Sequence, residues 1–168
     1  LIFGASGDLT RRKLVPAIWH LDQQGRLPAE FALVGVARTE LDDAGFRAQM
    51  KAALHEFVGP VDTAALDSFL AKLSYIYGGL NDPDTFARLS DHLDKLDKEH
   101  GTKGNRCFYC SVPPQVYLDI VERLGAASSR SEQIAAGKVL GLNRQYDQLG
   151  LFYGVQITGP RQHTIFPG

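Results

Sequence analysis

Cysteine is scarce here, with Cys107 and Cys110 the only two in 168 residues. That excludes a disulfide framework, and no second pair exists to complete a zinc site. The two spell C-x-x-C, but within Arg106-Cys107-Phe108-Tyr109-Cys110-Ser111-Val112, which reads as a strand. Residues three apart in a strand send side chains to opposite faces, so ordinary packing is expected and no metal site. Neither sign of charge dominates, with 18 basic and 19 acidic residues and no basic block. Nucleic acid is therefore not expected as a partner. No apolar run is long enough to span a bilayer, so no membrane partner is expected. No signal peptide is visible, which points to the cytoplasm. An initiator Met is also missing: the chain opens at Leu1 inside an apolar run, and residues upstream of it are expected.

What is present suits one domain of ordinary size, with 44% apolar residues to fill its core. Leu1-Ile2-Phe3 reads as the end of a buried strand, and Gly4-Ala5-Ser6-Gly7 as a turn. A helix is expected from Asp8 to Gln24, with Leu9, Leu14, Ala17, Ile18 and Leu21 at helical spacing. Pro16 should kink or locally unwind it, and Gly25 should cap its end. Phe31 to Ala37 is a continuous apolar run, as in a strand covered on both faces. Helices are expected at Asp42–Phe57, Thr63–Lys72, Pro83–His100 and Pro114–Leu124, and strands at Leu73–Tyr77 and Asn105–Val112. That alternation predicts an α/β fold: a Rossmann-like, doubly wound, mostly parallel sheet with helices on both faces.

A strand, a glycine turn and a helix start can cradle a pyrophosphate, because glycines let the backbone approach and the first helical amides favour negative charge. Gly4-Ala5-Ser6-Gly7 stands at such a junction, but Ser6 and Leu9 replace two glycines of the full G-x-G-x-x-G fingerprint. A tight turn that binds nothing has the same spelling. Arg38 stands just past the second strand, where NAD-specific folds often carry an acid for the ribose hydroxyl. A guanidinium there matches a 2′-phosphate and favours NADP over NAD, with Thr39 adding a hydroxyl; the bland alternative is a solvated loop arginine. Asp8 is expected to cap the first helix. Arg11, Arg12 and Lys13 fit either a phosphate patch or a solvated helix face.

Three strings together resemble one family. Gly4-Ala5-Ser6-Gly7-Asp8-Leu9-Thr10-Arg11-Arg12-Lys13-Leu14 is similar to the signature start of glucose-6-phosphate dehydrogenases, and Pro16, Ile18 and Trp19 extend the likeness. Gly35-Val36-Ala37-Arg38 resembles the family's second strand and its 2′-phosphate arginine. Phe108-Tyr109-Cys110-Ser111-Val112-Pro113-Pro114, followed by Tyr117, resembles a later segment. The resemblance implies an oxidoreductase domain that binds NADP, in a family that oxidises glucose 6-phosphate to a phosphogluconolactone in the pentose phosphate pathway. It implies a cofactor site of Gly4, Ala5, Ser6, Gly7, Asp8 and Leu9 around the diphosphate, and Arg38 with Thr39 at the 2′-phosphate. Gly79 and Leu80 would form a cofactor-side loop, and Tyr109 would lie beside the cofactor near the strand end.

The likeness covers Leu1 to Gly125, which sets an NADP-binding domain at 1–125 and a separate tail at 126–168. The family's Glu-Lys-Pro-Phe-Gly and Arg-Ile-Asp-His-Tyr-Leu-Gly-Lys-Glu strings, which contact substrate, do not follow. His163 matches no family motif, so no catalytic residue is assigned. A helix is expected from about Ser131 to Leu149, with no strand alternation that continues the sheet cleanly, and a tail that is partly disordered. The abrupt end points to a frameshift or rearranged junction near Gly125; a divergent extension is the alternative. The chain alone is expected to bind NADP without turnover and to lack the family's homo-oligomer contacts. The rival reading is a non-catalytic nucleotide-binding module, or a pseudoenzyme fragment that takes a partner at an exposed sheet edge.

Overall fold

The computed structural model describes residues 1–102, 104, 106–127, 139–140, 155–158 and 162–167. Its sheet begins with β1 (Ile2–Phe3), β2 (Leu33–Ala37), β3 (Leu73–Tyr77) and β4 (Cys107–Cys110). These strands are parallel and lie in the order β3-β2-β1-β4. The chain thus steps outward from β1 through β2 to β3, then returns to place β4 on the other side of β1. That reversal is a topological switch point, where open α/β sheets bind ligands at the carboxyl ends of their strands.

Period-2 alternation sorts each strand's side chains into two cores. Ile2, Leu33, Leu73 and Tyr75 face α1 (Val15–Gln23), α2 (Asp43–Phe57) and α3 (Thr63–Ala71). Phe3, Val34, Val36, Ile76, Phe108 and Cys110 face α4 (Pro83–His100) and α5 (Tyr117–Ala127). All five β2 residues are buried, as a strand covered on both faces requires. Phe3 is wholly buried and stacks against Phe86 and Phe108 at 6.0 and 6.5 Å between ring centres. Cys107 is exposed and Cys110 buried, with both thiols free. Burial pushes the Cys110 thiol up to about 12, so it stays protonated and behaves as a small apolar group.

Local chemistry sets the helix ends. Asp42, Asp62 and Asp82 stand in extended conformation, and their carboxylates accept from the backbone N–H of Gly45, Ala65 and Asp84. Gly101 closes α4 with a φ of 71°. The first helix is less regular than its spacing predicts: Thr10–Leu14 is a π-helical segment, and the Val15 N–H donates to Thr10 O, five residues back. Pro16 follows at once and has no N–H to give, so the widened turn takes up the helical bond it forfeits. After β4, Pro114–Val116 forms a 3₁₀ turn before α5, and no peptide bond among the described residues is cis.

The sheet does not end near Gly125. β7 (Gln162–Pro167) pairs parallel with β4, and β6 (Val155–Thr158) and β5 (Val139–Leu140) continue antiparallel, giving the order β3-β2-β1-β4-β7-β6-β5. This corrects the expectation that the residues after Gly125 would not extend the sheet. Val155-Gln156-Ile157-Thr158 does alternate and is rich in β-branched residues, a signal the sequence reading passed over. The helix expected at Ser131–Leu149 lies mostly outside the described residues, and Val139–Leu140 within it is strand.

Candidate functional site

The carboxyl ends of the central strands open onto one cleft of about 680 Å³. Gly4, Ser6 and Gly7 of the glycine turn line it, with Ala37, Arg38 and Thr39 beyond β2 and Leu80 and Asn81 beyond β3. Ser111, Val112 and Pro113 after β4 complete it, with Val116 and Asp119 beside them. That size lies within the usual range for small-molecule and cofactor sites.

The glycine turn is held by the strands on either side. The Gly4 N–H donates to Val36 O at 2.8 Å, and the Gly7 N–H to Gly4 O at 3.0 Å. Gly4 has a φ of +78°, and a Cβ there would lie 2.1 Å from the Ser111 carbonyl oxygen. Only glycine lets the chain turn this tightly against β4. The helix starts at Asp8, so its first amides have no acceptor within the helix and face the turn's mouth with the positive end of its dipole.

Arg38 is exposed at the cleft rim, and no hydrogen bond or ion pair among the described residues engages its guanidinium. Beside it, the Thr39 hydroxyl donates to Ser6 Oγ at 2.8 Å, linking the loop after β2 to the glycine turn. The buried Tyr75 hydroxyl donates to Thr39 O at 2.8 Å and approaches Ala37 O at 3.2 Å. Burial pushes that hydroxyl's pKa up, and the neighbouring Ser6 hydroxyl partly offsets the rise.

Of the residues expected at the site, Gly4, Ser6, Gly7, Arg38, Thr39 and Leu80 come together in the cleft lining. Ala5, Asp8, Leu9, Gly79 and Tyr109 are not in it. Ala5 is fully buried with its Cβ against β2; a Cβ on Gly35 would come within 2.8 Å of it. The Asp8 carboxylate is exposed and pairs with Arg12 at 3.5 Å, and the helix entry has no side-chain capping bond. Leu9 is 39% exposed on the first turn. A Cβ on Gly79 would make only ordinary contact, 3.4 Å from Asn81 Oδ1, whereas a Cβ on its neighbour Gly78 would sit 2.0 Å from Thr85 Oγ1. Gly78, not Gly79, is the glycine this loop requires. Tyr109 pairs with Ile2 in register, and its ring packs on the core under α1 to α3.

Arg11 pairs with Glu56 at 3.8 Å, and Arg12 lies 5.5 Å from the centre of the Phe57 ring. Neither they nor Lys13 line the cleft, so they form a helix surface and no phosphate patch. Tyr75, Asn81 and Asp119 were not anticipated. For Tyr75 a signal existed: a tyrosine in a buried strand needs a partner for its hydroxyl.

The outer edge of β3 is closed. The Arg47 Nε–H donates to Leu73 O at 2.8 Å, the Tyr75 N–H to Asp43 Oδ1 at 2.7 Å, and Arg88 Nη2 to Tyr77 O at 2.9 Å. Side chains thus occupy the backbone groups an added strand would need, which counts against a partner docking there. Among the described residues no helix is long and apolar enough to cross a membrane, and no three His, Cys, Asp or Glu side chains gather as a metal site.

A family model described as glucose-6-phosphate dehydrogenase, NAD binding domain, matches residues 1–143, past the limit expected at Gly125. Glucose-6-phosphate 1-dehydrogenase of Chlamydia pneumoniae is 43% identical over 125 residues, covering 74% of this chain and 24% of that protein. The enzyme of Aggregatibacter actinomycetemcomitans is 42% identical over 125 residues, covering 74% and 25%. A solved glucose-6-phosphate dehydrogenase in complex with its substrate glucose-6-phosphate superposes with a TM-score of 0.67 at 29% identity, over 76% of this chain and 27% of that one. The chain spans about a quarter of the length of the curated relatives it matches.

Proposed function

The chain belongs to the glucose-6-phosphate dehydrogenase family through its nucleotide-binding domain, and from that premise we propose that it binds NADP in the cleft at the switch point. The observation that carries this reading is that Arg38, whose guanidinium no described residue engages, lines the same cleft as a glycine turn in which Gly4 admits no side chain. Gly4 to Gly7 and the first amides of the helix at Asp8 and Leu9 would hold the dinucleotide's diphosphate. Ala5 holds the turn against β2. Arg38 takes the 2′-phosphate through charge-assisted hydrogen bonds, with Thr39 beside it. Leu80 supplies an apolar wall.

The bound nicotinamide supplies the hydride acceptor; everything else the reaction of the named relatives needs comes from the substrate side. We assign this chain to that reaction, oxidation of glucose 6-phosphate, as its cofactor-holding part. The family strings that contact the sugar phosphate are missing from its sequence. A missing general base alone reduces rate by about a hundredfold to ten-thousandfold, so the chain by itself binds without turnover.

Arg38→Ala tests the assignment. A charge-assisted phosphate contact is worth about 1.5–3 kcal/mol, so NADP should bind roughly ten- to a hundredfold more weakly while NAD changes little. Equal losses for both cofactors by calorimetric titration remove Arg38 from its role.

A further inference from the structure

We propose that Tyr75, which lines no part of the cleft, is a positioning residue that sets the preference for a 2′-phosphorylated dinucleotide by fixing the backbone on either side of Arg38. The inference rests on the assignment of Arg38 to the 2′-phosphate.

Arg38 begins a loop, and a flexible loop arginine loses entropy when it clamps a phosphate. Here the backbone that carries it is already fixed. Tyr75 comes from β3, which lies beside β2 in parallel register with Ala37 opposite Tyr77. Its ring is 7% exposed and packs 5.0 Å from the Phe46 ring, so the phenol has one position available. From there its hydroxyl reaches the carbonyls of Ala37 and Thr39, the residues immediately before and after Arg38. The loop is held from its other side as well, where the Thr39 hydroxyl donates to Ser6 Oγ in the glycine turn. Tyr75, Thr39 and Ser6 therefore join the phosphate cradle to the arginine's backbone. The Ala37 carbonyl is also tied to the Gly78 N–H at 3.0 Å, whereas among the described residues Tyr75 alone donates to the Thr39 carbonyl. Loss of the phenol hydroxyl therefore releases the Thr39 end first.

The glycine turn, by contrast, is fixed by the Gly4 and Ala5 N–H groups donating to Val36 O and by the Gly7 N–H donating to Gly4 O, none of which involves Tyr75. Removing the hydroxyl should thus affect the two dinucleotides unequally. A merely structural role would weaken both alike.

The experiment is calorimetric titration of the 168-residue chain with NADP and with NAD, for the unaltered chain, Tyr75→Phe, Ser6→Ala, Arg38→Ala and Tyr75→Phe combined with Arg38→Ala. Tyr75→Phe keeps the ring contact with Phe46 and should lower the NADP-to-NAD affinity ratio about three- to tenfold, the range one net hydrogen bond supports. NAD affinity should hold within about twofold, which also shows that the variant is folded. Should Tyr75→Phe fail to fold, Ser6→Ala opens the same link at the cleft and should lower the ratio in the same direction. In the Arg38→Ala background, Tyr75→Phe should no longer change the ratio. An unchanged ratio in Tyr75→Phe, or equal losses for both dinucleotides, overturns the role of Tyr75 while leaving that of Arg38 standing. No NADP preference in the unaltered chain, or none lost in Arg38→Ala, overturns the Arg38 assignment and this inference with it.

Discussion

Gly4→Ala places one methyl group where the fold has no room for it. Gly4 sits at a φ of +78°, a left-handed conformation that an L side chain adopts at a penalty of about 1–2 kcal/mol. The new Cβ would also meet the Ser111 carbonyl oxygen at 2.1 Å. That oxygen is backbone, and the Ser111 N–H donates to Phe3 O at 2.9 Å, so β4 cannot retreat without loosening from β1. Forcing such a shift adds about 1–3 kcal/mol. The sum, about 2–5 kcal/mol, is a large part of the roughly 5–15 kcal/mol that holds a domain folded. Gly25→Ala is the matched control. Gly25 is also left-handed, at +64°, but nothing lies within 4 Å of its Cβ position, so only the conformational penalty applies. In urea unfolding the Gly4 variant should lose roughly 1–2 M of midpoint and the Gly25 variant about half of that or less. NADP binding should be lost in the first and kept in the second. Equal midpoints for the two variants would refute the reasoning, since the contact with β4 would then contribute nothing.

The loop after β3 offers a second matched pair. Gly78→Ala drives a methyl into Thr85, whose hydroxyl donates to the Asp82 carboxylate that caps α4, and should destabilise by about 1–3 kcal/mol; Gly79→Ala, with its nearest neighbour at 3.4 Å, should change stability by under about 1 kcal/mol in the same assay. A pH effect follows from His92, which shares a 2.8 Å hydrogen bond with Ser74. Burial lowers the His92 pKa, against the attraction of Asp43 and Glu99 and with help from Lys95. The unfolded chain therefore binds the proton more readily, and the stability contributed by neutral His92 is present above pH about 6.5 and falls as pH drops through that value. Thermal melts between pH 5 and 8 should show this slope, and His92→Gln should remove it; a slope that persists in the variant assigns it to other groups.

Much of the fold was legible because local chemistry dictated it. Asp82 followed by Pro83 marked the start of α4, and Gly101 marked its end. The apolar run through Val34 and Val36 marked a strand buried on both faces. The glycine turn and Arg38 were legible for the same reason: each needs only a strand before it. What sequence did not disclose depends on residues far apart in the chain. Tyr75 reaches a loop 36 residues away, which only the parallel pairing of β2 and β3 brings near. That Tyr109 faces the opposite side of β4 from Phe108 followed from its strand, but its absence from the cleft lining did not. Gly78 and Gly79 are indistinguishable as letters; only the position of Thr85 separates them. Of the strands beyond Gly125, β7 joins the sheet by pairing with β4, more than fifty residues earlier, and that partnership is not local.

The central claim is that NADP lies in the cleft between the glycine turn and Arg38. Backbone amide resonances of the isotope-labelled chain, followed as NADP is added, test it most directly. The account predicts saturable shifts at Gly4 to Leu9 and at Arg38 and Thr39, with the Arg38 and Thr39 shifts much smaller for NAD. Shifts confined to other parts of the sheet, or none at saturating NADP, would contradict it.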